Sequence, residues 1–184
     1  GLKIYEEWLM GIVDVDLNGM RIALDLANGS ATATAAQTLR AMGAQVDVIH
    51  GEPNGVNINT DCGSTHPESL QRMVREGGYD VGFAFDGDAD RLIAVDEEGS
   101  LFNGDYILYA CGRYMKKKRR LAHNMVVTTV MANLGLYHAL RDLQIDYAQT
   151  AVGDKYVFEC MQSNGYSVGG EQSGHIIFLE HAVT

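Results

Sequence analysis

Three aspartates stand at alternating positions after a short apolar run, at Asp86, Asp88 and Asp90, and Arg91 follows at once. Three carboxylates this close repel one another unless a cation or a cage of hydrogen-bond donors neutralises them. Oxygen ligands of this kind suit hard divalent cations such as Mg²⁺. Gly87 allows a tight turn, which lets the carboxylates converge. The spacing therefore predicts a metal-binding loop at the end of a strand.

Two other structures could hold the same aspartates, a solvated acidic turn and a calcium loop of the EF-hand type. The aspartates fit the first, third and fifth positions of an EF-hand loop, and Glu97 falls at its twelfth. The sixth position of that loop requires glycine, and here it is Arg91. An EF-hand also requires flanking helices, whereas residues 80–85 and 92–95 are short apolar runs typical of strands. A metal site at a turn between strands is favoured over both.

A glycine-rich segment at residues 169–174 carries a second set of polar side chains. Glu171 and Ser173 stand two residues apart, so they can face the same side, as alternate residues of a strand do. A carboxylate accepts hydrogen bonds and a hydroxyl both donates and accepts, which suits neighbouring hydroxyl groups of a sugar. An ordinary glycine-rich turn is the alternative. Among the six histidines only His175 adjoins a candidate site, and the others are predicted to be surface or structural residues.

Lys155 lies at the start of a predicted helix, directly after Gly153 and Asp154. Backbone N–H groups at a helix start, together with a cation, can hold a phosphate. A solvated lysine is the alternative.

The composition limits the class of protein and its partners. The 184 residues carry a formal net charge of -10, which argues against nucleic acid and anionic membranes, since both require basic surface. The sequence has no apolar run long enough to span a membrane and no signal peptide. Cys62, Cys111 and Cys160 are odd in number and far apart, which favours reduced thiols and a cytoplasmic location.

Hydrophobic periodicity predicts alternating strands and helices. Helices are predicted over residues 3–13, 32–42, 66–76, 105–118, 133–143 and 154–162. Strands are predicted over residues 21–26, 45–50, 80–85, 92–95, 125–129, 145–150, 166–169 and 175–179. Thr65 is the predicted cap of the third helix, with Pro67 in its first turn. The pattern indicates two consecutive three-layer α/β domains with mixed sheets, residues 1–102 and 103–184.

Taken together, these segments resemble the α-D-phosphohexomutase family over essentially the whole chain. The ordered set is specific, although no single piece is. The resemblance is carried by residues 85–91 (Phe-Asp-Gly-Asp-Ala-Asp-Arg), 170–175 (Gly-Glu-Gln-Ser-Gly-His) and 152–157 (Val-Gly-Asp-Lys-Tyr-Val), with support from 54–59, 62–67 and 103–105.

The resemblance implies a cytoplasmic enzyme of four domains that uses a phosphoserine to move a phosphoryl group on a sugar phosphate, through a bisphosphate intermediate. It implies that Asp86, Asp88 and Asp90 bind Mg²⁺ and that Arg91 neutralises charge on the transferring group. It also implies that Glu171 and Ser173 hold sugar hydroxyls with His175 nearby, and that Lys155 contacts phosphate.

The sequence departs from the family pattern at several positions. Ala89 and Asn103 stand where glycine and aspartate are usual, and Lys155 stands where the amino-sugar branch often has arginine. Gln172 favours that branch over the mannose and glucose branch, which typically has methionine there. No segment resembles the family's serine nucleophile, which predicts that the chain is the second domain and most of the third, inactive alone.

Two functions of other classes stay open at this stage. One is a non-catalytic α/β module that binds metal or sugar. The other is a phosphatase with an aspartate nucleophile, although the order of motifs which that chemistry requires is not seen.

Overall fold

The computed structural model describes residues 1–13 and 15–181. Its backbone divides into two compact units, one of residues Gly1–Leu101 and a second that begins at Phe102. The assignment of residues 1–102 and 103–184 to two domains of a larger enzyme stays a prediction. Within the described residues, none of the helices combines the length and the apolar character needed to cross a membrane.

The first unit is a mixed sheet between helices. Its elements are α1 (Leu2–Ile12), β1 (Arg21–Asp25), α2 (Ala35–Ala41), β2 (Gln45–Ile49), α3 (Glu68–Gly77), β3 (Val81–Phe85) and β4 (Leu92–Asp96), and the short strand β5 (Leu101–Phe102) ends its sheet. The strand order is β2-β1-β3-β4-β5, with β1 parallel to β2 and β3, and β3 antiparallel to β4. The carboxyl ends of β1, β2 and β3 therefore lie along one edge of the sheet.

The interior strand β1 is buried on both faces, which makes this unit three-layered. Ile22 and Leu24 pack in one apolar cluster with Ala36 of α2. Ala23 packs on the opposite face in a second cluster with the α3 residues Leu70 and Val74. Two-sided burial explains why the strand is apolar at successive positions rather than at alternate ones.

The second unit repeats this arrangement with a smaller sheet. Its elements are α4 (Gly104–Lys117), β6 (Met125–Thr129), α5 (Leu134–Asp142), β7 (Asp146–Thr150), α6 (Asp154–Asn164), β8 (Val168–Gly170) and β9 (Ile176–Phe178). The strand order is β7-β6-β8-β9, with β6 parallel to its neighbours and β8 antiparallel to β9. Val126 packs with helices α4 and α5, and Val127 with helix α6. The predicted fold class, three-layer α/β units with mixed sheets, is confirmed.

Three local predictions differ from the structure. Thr65 is not the cap of α3, because residues Gly63–Thr65 form a short 3₁₀ turn and Pro67 takes the cap position without a side-chain bond. Residues Ser30–Ala33 also form a 3₁₀ turn, so the helix predicted from residue 32 begins at Ala35.

The glycine-rich segment 169–174 also forms less of a turn than expected, because Gly170 joins Gly169 in strand β8 and both are buried. A side chain at Gly169 would press against Met161, Val127 and Val157, so close packing, not flexibility, explains this glycine.

Candidate functional site

The three aspartates of the first unit converge at the carboxyl end of β3. One carboxylate oxygen from each of Asp86, Asp88 and Asp90 lies within 4.8 Å of the others. Asp86 is buried, whereas Asp88 and Asp90 are exposed. The loop joins two antiparallel strands, so the EF-hand alternative is wrong. The donor set is composed of carboxylate oxygens with two exposed members, which fits a hard divalent cation.

Arg91 is bound to the buried member of this group. Its Nε donates to Asp86 Oδ2 at 2.7 Å and its backbone N–H to Asp86 Oδ1 at 3.1 Å, while Asp90 Oδ1 lies 3.5 Å from Nε. Burial alone would raise the pKa of Asp86, but the two bonds from Arg91 hold that pKa below its usual range. Asp86 is therefore ionised at neutral pH. Its contribution to stability is lost only as the pH falls from about 4 through this lowered pKa.

The guanidinium of Arg91 and a cation at the aspartate loop would both be attracted to Asp86. We therefore expect Arg91→Gln to raise the affinity of the chain for Mn²⁺ by at least about threefold, because it removes a nearby positive charge. Titration of the 184-residue chain, followed by the electron paramagnetic resonance of free Mn²⁺, measures this. Arg72→Gln removes an exposed arginine from α3 and is the matched control. Weaker binding by Arg91→Gln alone would mean that Arg91 orients Asp86 for the ion instead of competing with it.

Close contacts between loops support the aspartate loop. The backbone N–H of Ser30 donates to the carbonyl of Gly87 at 2.8 Å, and a side chain at Gly29 would overlap Gly87. Gly87 itself has no room for a side chain because Ile58 and Asn59 lie against it. The end of the segment 54–59, one of the segments that resemble the family, thus forms one wall of the loop. Ala89 adopts a left-handed backbone with φ 63°, the conformation that a glycine takes more easily.

In the second unit, Glu171 and Ser173 line one cavity of about 610 Å³, together with Gln172, Thr129, Met131 and Val152. The turn is closed by two backbone bonds, from Glu171 N–H to the His175 carbonyl at 2.9 Å and from Gly174 N–H to the Glu171 carbonyl at 3.0 Å. The Glu171 side chain also accepts a bond from Gly153 N–H at 2.9 Å. This bond brings the Glu171 turn and the start of α6 together.

The other two predicted ligands of the second unit lie in different surroundings. His175 is buried at the start of β9, with 5% of its surface exposed. Lys155 lies in the first turn of α6, where its side chain is 75% exposed and Nζ is 3.7 Å from Glu159 Oε1. The roles of Glu171, Ser173, His175 and Lys155 toward a substrate stay predictions.

The role of Asp105 was not predicted from the sequence. This buried residue links the Glu171 turn to helices α4 and α5. Its Oδ2 accepts bonds from Asn133 N–H at 2.8 Å and from Gln172 Nε2 at 3.3 Å. Gly104 N–H donates to the Gln172 carbonyl at 3.0 Å, and a side chain at Gly104 would overlap the Glu171 carbonyl. The segment 103–105 could have pointed to Asp105, because it is one of the segments that resemble the family, but the resemblance gave this residue no role.

Burial raises the pKa of Asp105, although its bonds from Asn133 and Gln172 act in the opposite direction. A raised pKa means that Asp105 stabilises the fold most below its ordinary pKa of about 3.9, and that this contribution is lost as the pH rises through the raised value. Asp105→Asn retains an acceptor for both bonds and removes the charge. We therefore expect the free energy of unfolding of Asp105→Asn, relative to the native chain, to increase between about pH 3.5 and pH 7.

Urea denaturation at both pH values measures this difference. Asp105→Ala is the comparison, because it removes the acceptor and is expected to lower the free energy of unfolding by about 2 kcal/mol at either pH. A relative stability of Asp105→Asn that falls with rising pH would contradict the assigned sign.

Comparison with known proteins identifies the family. The sequence matches the phosphoglucomutase/phosphomannomutase α/β/α domain II over residues 5–99 and domain III over residues 103–184. The chain belongs to the phosphoglucomutase/phosphomannomutase family. The resemblance to the phosphohexomutases is thereby confirmed.

Individual relatives agree with this family. The chain is 60% identical over 184 residues to phosphoglucosamine mutase of Lachnoclostridium phytofermentans, covering 100% of this chain and 41% of that protein. It is 54% identical over 184 residues to phosphoglucosamine mutase of Halalkalibacterium halodurans, with the same coverage of 100% and 41%. The chain thus spans about two fifths of the length of these phosphohexomutases.

Solved structures share the fold. A phosphoglucomutase/phosphomannomutase family protein from Burkholderia thailandensis is 25% identical with a TM-score of 0.85, covering 98% of this chain and 40% of that one. N-acetylphosphoglucosamine mutase of Aspergillus fumigatus, solved in complex with GlcNAc-6P and magnesium, is 21% identical with a TM-score of 0.70, covering 95% of this chain and 37% of that one. The fold of this chain is thus the fold of two consecutive phosphohexomutase domains.

Proposed function

We propose that these 184 residues are the metal-binding and sugar-binding part of a phosphoglucosamine mutase. Such an enzyme interconverts glucosamine 6-phosphate and glucosamine 1-phosphate through a phosphoserine and a bisphosphate intermediate, in the synthesis of UDP-N-acetylglucosamine and cell-wall precursors. The proposal rests on the 60% identity between this whole chain and a phosphoglucosamine mutase. The converging carboxylates and the Glu171–Ser173 cavity support it.

In this proposal the first unit holds Mg²⁺ through Asp86, Asp88 and Asp90. Arg91 keeps Asp86 ionised, and the exposed Asp88 and Asp90 present oxygens to solvent, where a cation can reach them. A bound Mg²⁺ would neutralise charge on a phosphate and hold it in position. Arg91 is partly exposed and would turn its free guanidinium nitrogens toward the same phosphate.

The second unit holds the sugar. Glu171 and Ser173 would bind neighbouring groups on the sugar ring, since a carboxylate and a hydroxyl on the wall of one cavity can accept and donate hydrogen bonds together. Gln172 is fixed by Asp105 and positions that turn. Lys155, exposed at the start of α6, would attract a phosphate. We propose a cytoplasmic location, which is supported by the three cysteines, all of them free thiols among the described residues.

A chimera provides the test. These 184 residues replace the matching segment of the 60% identical L. phytofermentans protein, which gives a protein of the relatives' full length. We expect the chimera to convert glucosamine 1-phosphate in the presence of Mg²⁺, and to prefer it to glucose 1-phosphate and mannose 1-phosphate. A chimera that folds but is inactive would contradict the proposal. A preference for glucose or mannose phosphate would favour the phosphomannomutase/phosphoglucomutase branch.

The 184-residue chain alone is the matched negative sample in the same coupled assay. We expect no turnover from it, with or without added sugar bisphosphate, because Mg²⁺ and Arg91 stabilise charge but provide no covalent relay for the phosphoryl group. Turnover by the isolated chain that is lost in Ser173→Ala would show that the nucleophile lies within this chain.

A further inference from the structure

A second group of metal-ligand residues lies at the same edge of the first unit's sheet as the ligands proposed for Mg²⁺ and shares no residue with them. Asp25 ends β1, His50 directly follows β2, and Cys62 lies in the segment between β2 and α3. One ligand atom from each residue lies within 4.8 Å of the other two. We propose that this Asp25–His50–Cys62 cluster is a binding site for a borderline-soft divalent cation of the Zn²⁺ type.

The donor atoms select the class of cation. An imidazole nitrogen, a thiolate and a carboxylate are the three ligand types that Zn²⁺ takes in proteins, whereas Mg²⁺ prefers oxygen alone. His50 Nδ1 and Asp25 Oδ2 are 2.9 Å apart. Two such ligands of one tetrahedral ion are about 3.3 Å apart, since each bond is about 2.0 Å. An ion can therefore bind between these two atoms after a small outward movement of the side chains.

Backbone and side-chain donors hold the ligands in place. Asp25 Oδ1 accepts a bond from Ala27 N–H at 3.0 Å, and Oδ2 accepts one from Gly63 N–H at 3.0 Å. Asn28 Nδ2 lies 3.9 Å from Cys62 Sγ. Such outer contacts orient metal ligands before the ion arrives, as second-shell partners do in known sites.

The charge of the cluster also favours a cation. Asp25 and Cys62 are fully buried, with no exposed surface. Burial, with added repulsion from Asp25 and Asp61, raises the pKa of the Cys62 thiol. A divalent cation would remove this repulsion and bind the thiolate, and the thiol proton would pass to solvent. The Asp25 carboxylate, the Cys62 thiolate and the divalent ion together carry no net charge, which suits a buried position.

The cluster is open to solvent on the side of His50. The His50 side chain is 31% exposed and lines a cavity of about 710 Å³ with Asn28, Glu52 and Asn57. This cavity provides an entry path and room for a water molecule as the fourth ligand. The proposal is independent of the proposed mutase function, because none of the three residues belongs to the aspartate loop or to the Glu171 turn.

Cobalt titration of the 184-residue chain tests the site, under a reductant that carries no thiol. Co²⁺ bound to a thiolate gives a charge-transfer absorption in the near ultraviolet that carboxylate and imidazole ligands do not give. We expect this band to appear with one equivalent of Co²⁺ and to be removed by Zn²⁺. Cys62→Ser is expected to abolish it, and His50→Ala to weaken Co²⁺ binding at least about tenfold.

Three variants are matched controls that should retain the band: Cys111→Ser, Cys160→Ser and Asp88→Asn. A band that survives Cys62→Ser, or its absence from the native chain, would overturn the proposal. Because Cys62 is fully buried, circular dichroism first establishes whether Cys62→Ser folds. If Cys62→Ser does not fold, the test is the Co²⁺ affinity of His50→Ala, whose side chain is only partly buried. Unchanged Co²⁺ affinity in a folded His50→Ala would overturn the proposal.

Discussion

Asp88→Asn in the chimera is expected to lower kcat/KM by at least about 100-fold while the protein stays folded. Asp88 is exposed, and its carboxylate converges with those of Asp86 and Asp90. Asparagine keeps the size of the side chain and one oxygen but removes the negative charge that attracts a divalent cation. Because the side chain is exposed, the free energy of unfolding is expected to change by less than about 0.5 kcal/mol.

The matched control for Asp88→Asn is Glu97→Gln. Glu97 is also exposed and lies at the other end of β4, so its replacement removes one carboxylate from the same unit away from the loop. The assay is the coupled conversion of glucosamine 1-phosphate over a range of Mg²⁺ concentrations. Activity of Asp88→Asn that equals the control at ordinary Mg²⁺ would remove Asp88 from the metal site. Rescue at high Mg²⁺ would identify lost metal affinity as the cause.

Glu171→Gln is expected to reduce kcat/KM of the chimera by about 100-fold, with the larger share in kcat. Glutamine can still accept the bond from Gly153 N–H, so the turn keeps its position while the charge that would hold a sugar hydroxyl is lost. Glu171→Ala removes both, and we expect it to reduce activity further and to destabilise the turn. Comparing the two variants separates the substrate contact from the structural one.

Asp142→Asn is the control for Glu171, because it removes an exposed carboxylate from α5 in the same unit. Thermal unfolding should be unchanged for Glu171→Gln and for Asp142→Asn, and lower for Glu171→Ala. If Glu171→Gln were fully active and only Glu171→Ala impaired, Glu171 would serve the fold alone.

Features that depend on neighbouring residues could be predicted from the sequence. The alternation of Asp86, Asp88 and Asp90 after an apolar run placed the loop correctly between two strands, because both signals are local. The same reliance on neighbouring residues gave a wrong prediction for the cap of α3. Thr65 has the chemistry of a cap, but Pro67 fixes its own φ near the helical value and takes the cap position instead.

Contacts between distant residues could not be predicted in the same way. Asp105 and Gln172 are 67 residues apart, and nothing near either of them indicates the other. Asp25 and His50 come together because β1 and β2 are parallel neighbours in the sheet, and the bond from Gly63 N–H to Asp25 brings Cys62 beside them. From the sequence, His50 is expected to be a surface or structural residue and Cys62 a reduced thiol, because the residues next to each of them carry no sign of the strand pairing that brings them together.

The most direct test of the metal-binding function is the position of a bound ion. Crystals of the chimera grown with Mn²⁺, an anomalous scatterer that takes the same ligands as Mg²⁺, locate the ion without assumptions about activity. We expect one strong anomalous peak within about 2.2 Å of a carboxylate oxygen from each of Asp86, Asp88 and Asp90. Saturating Mn²⁺ with no peak at this loop, or a peak that contacts only one of the three, would contradict the account.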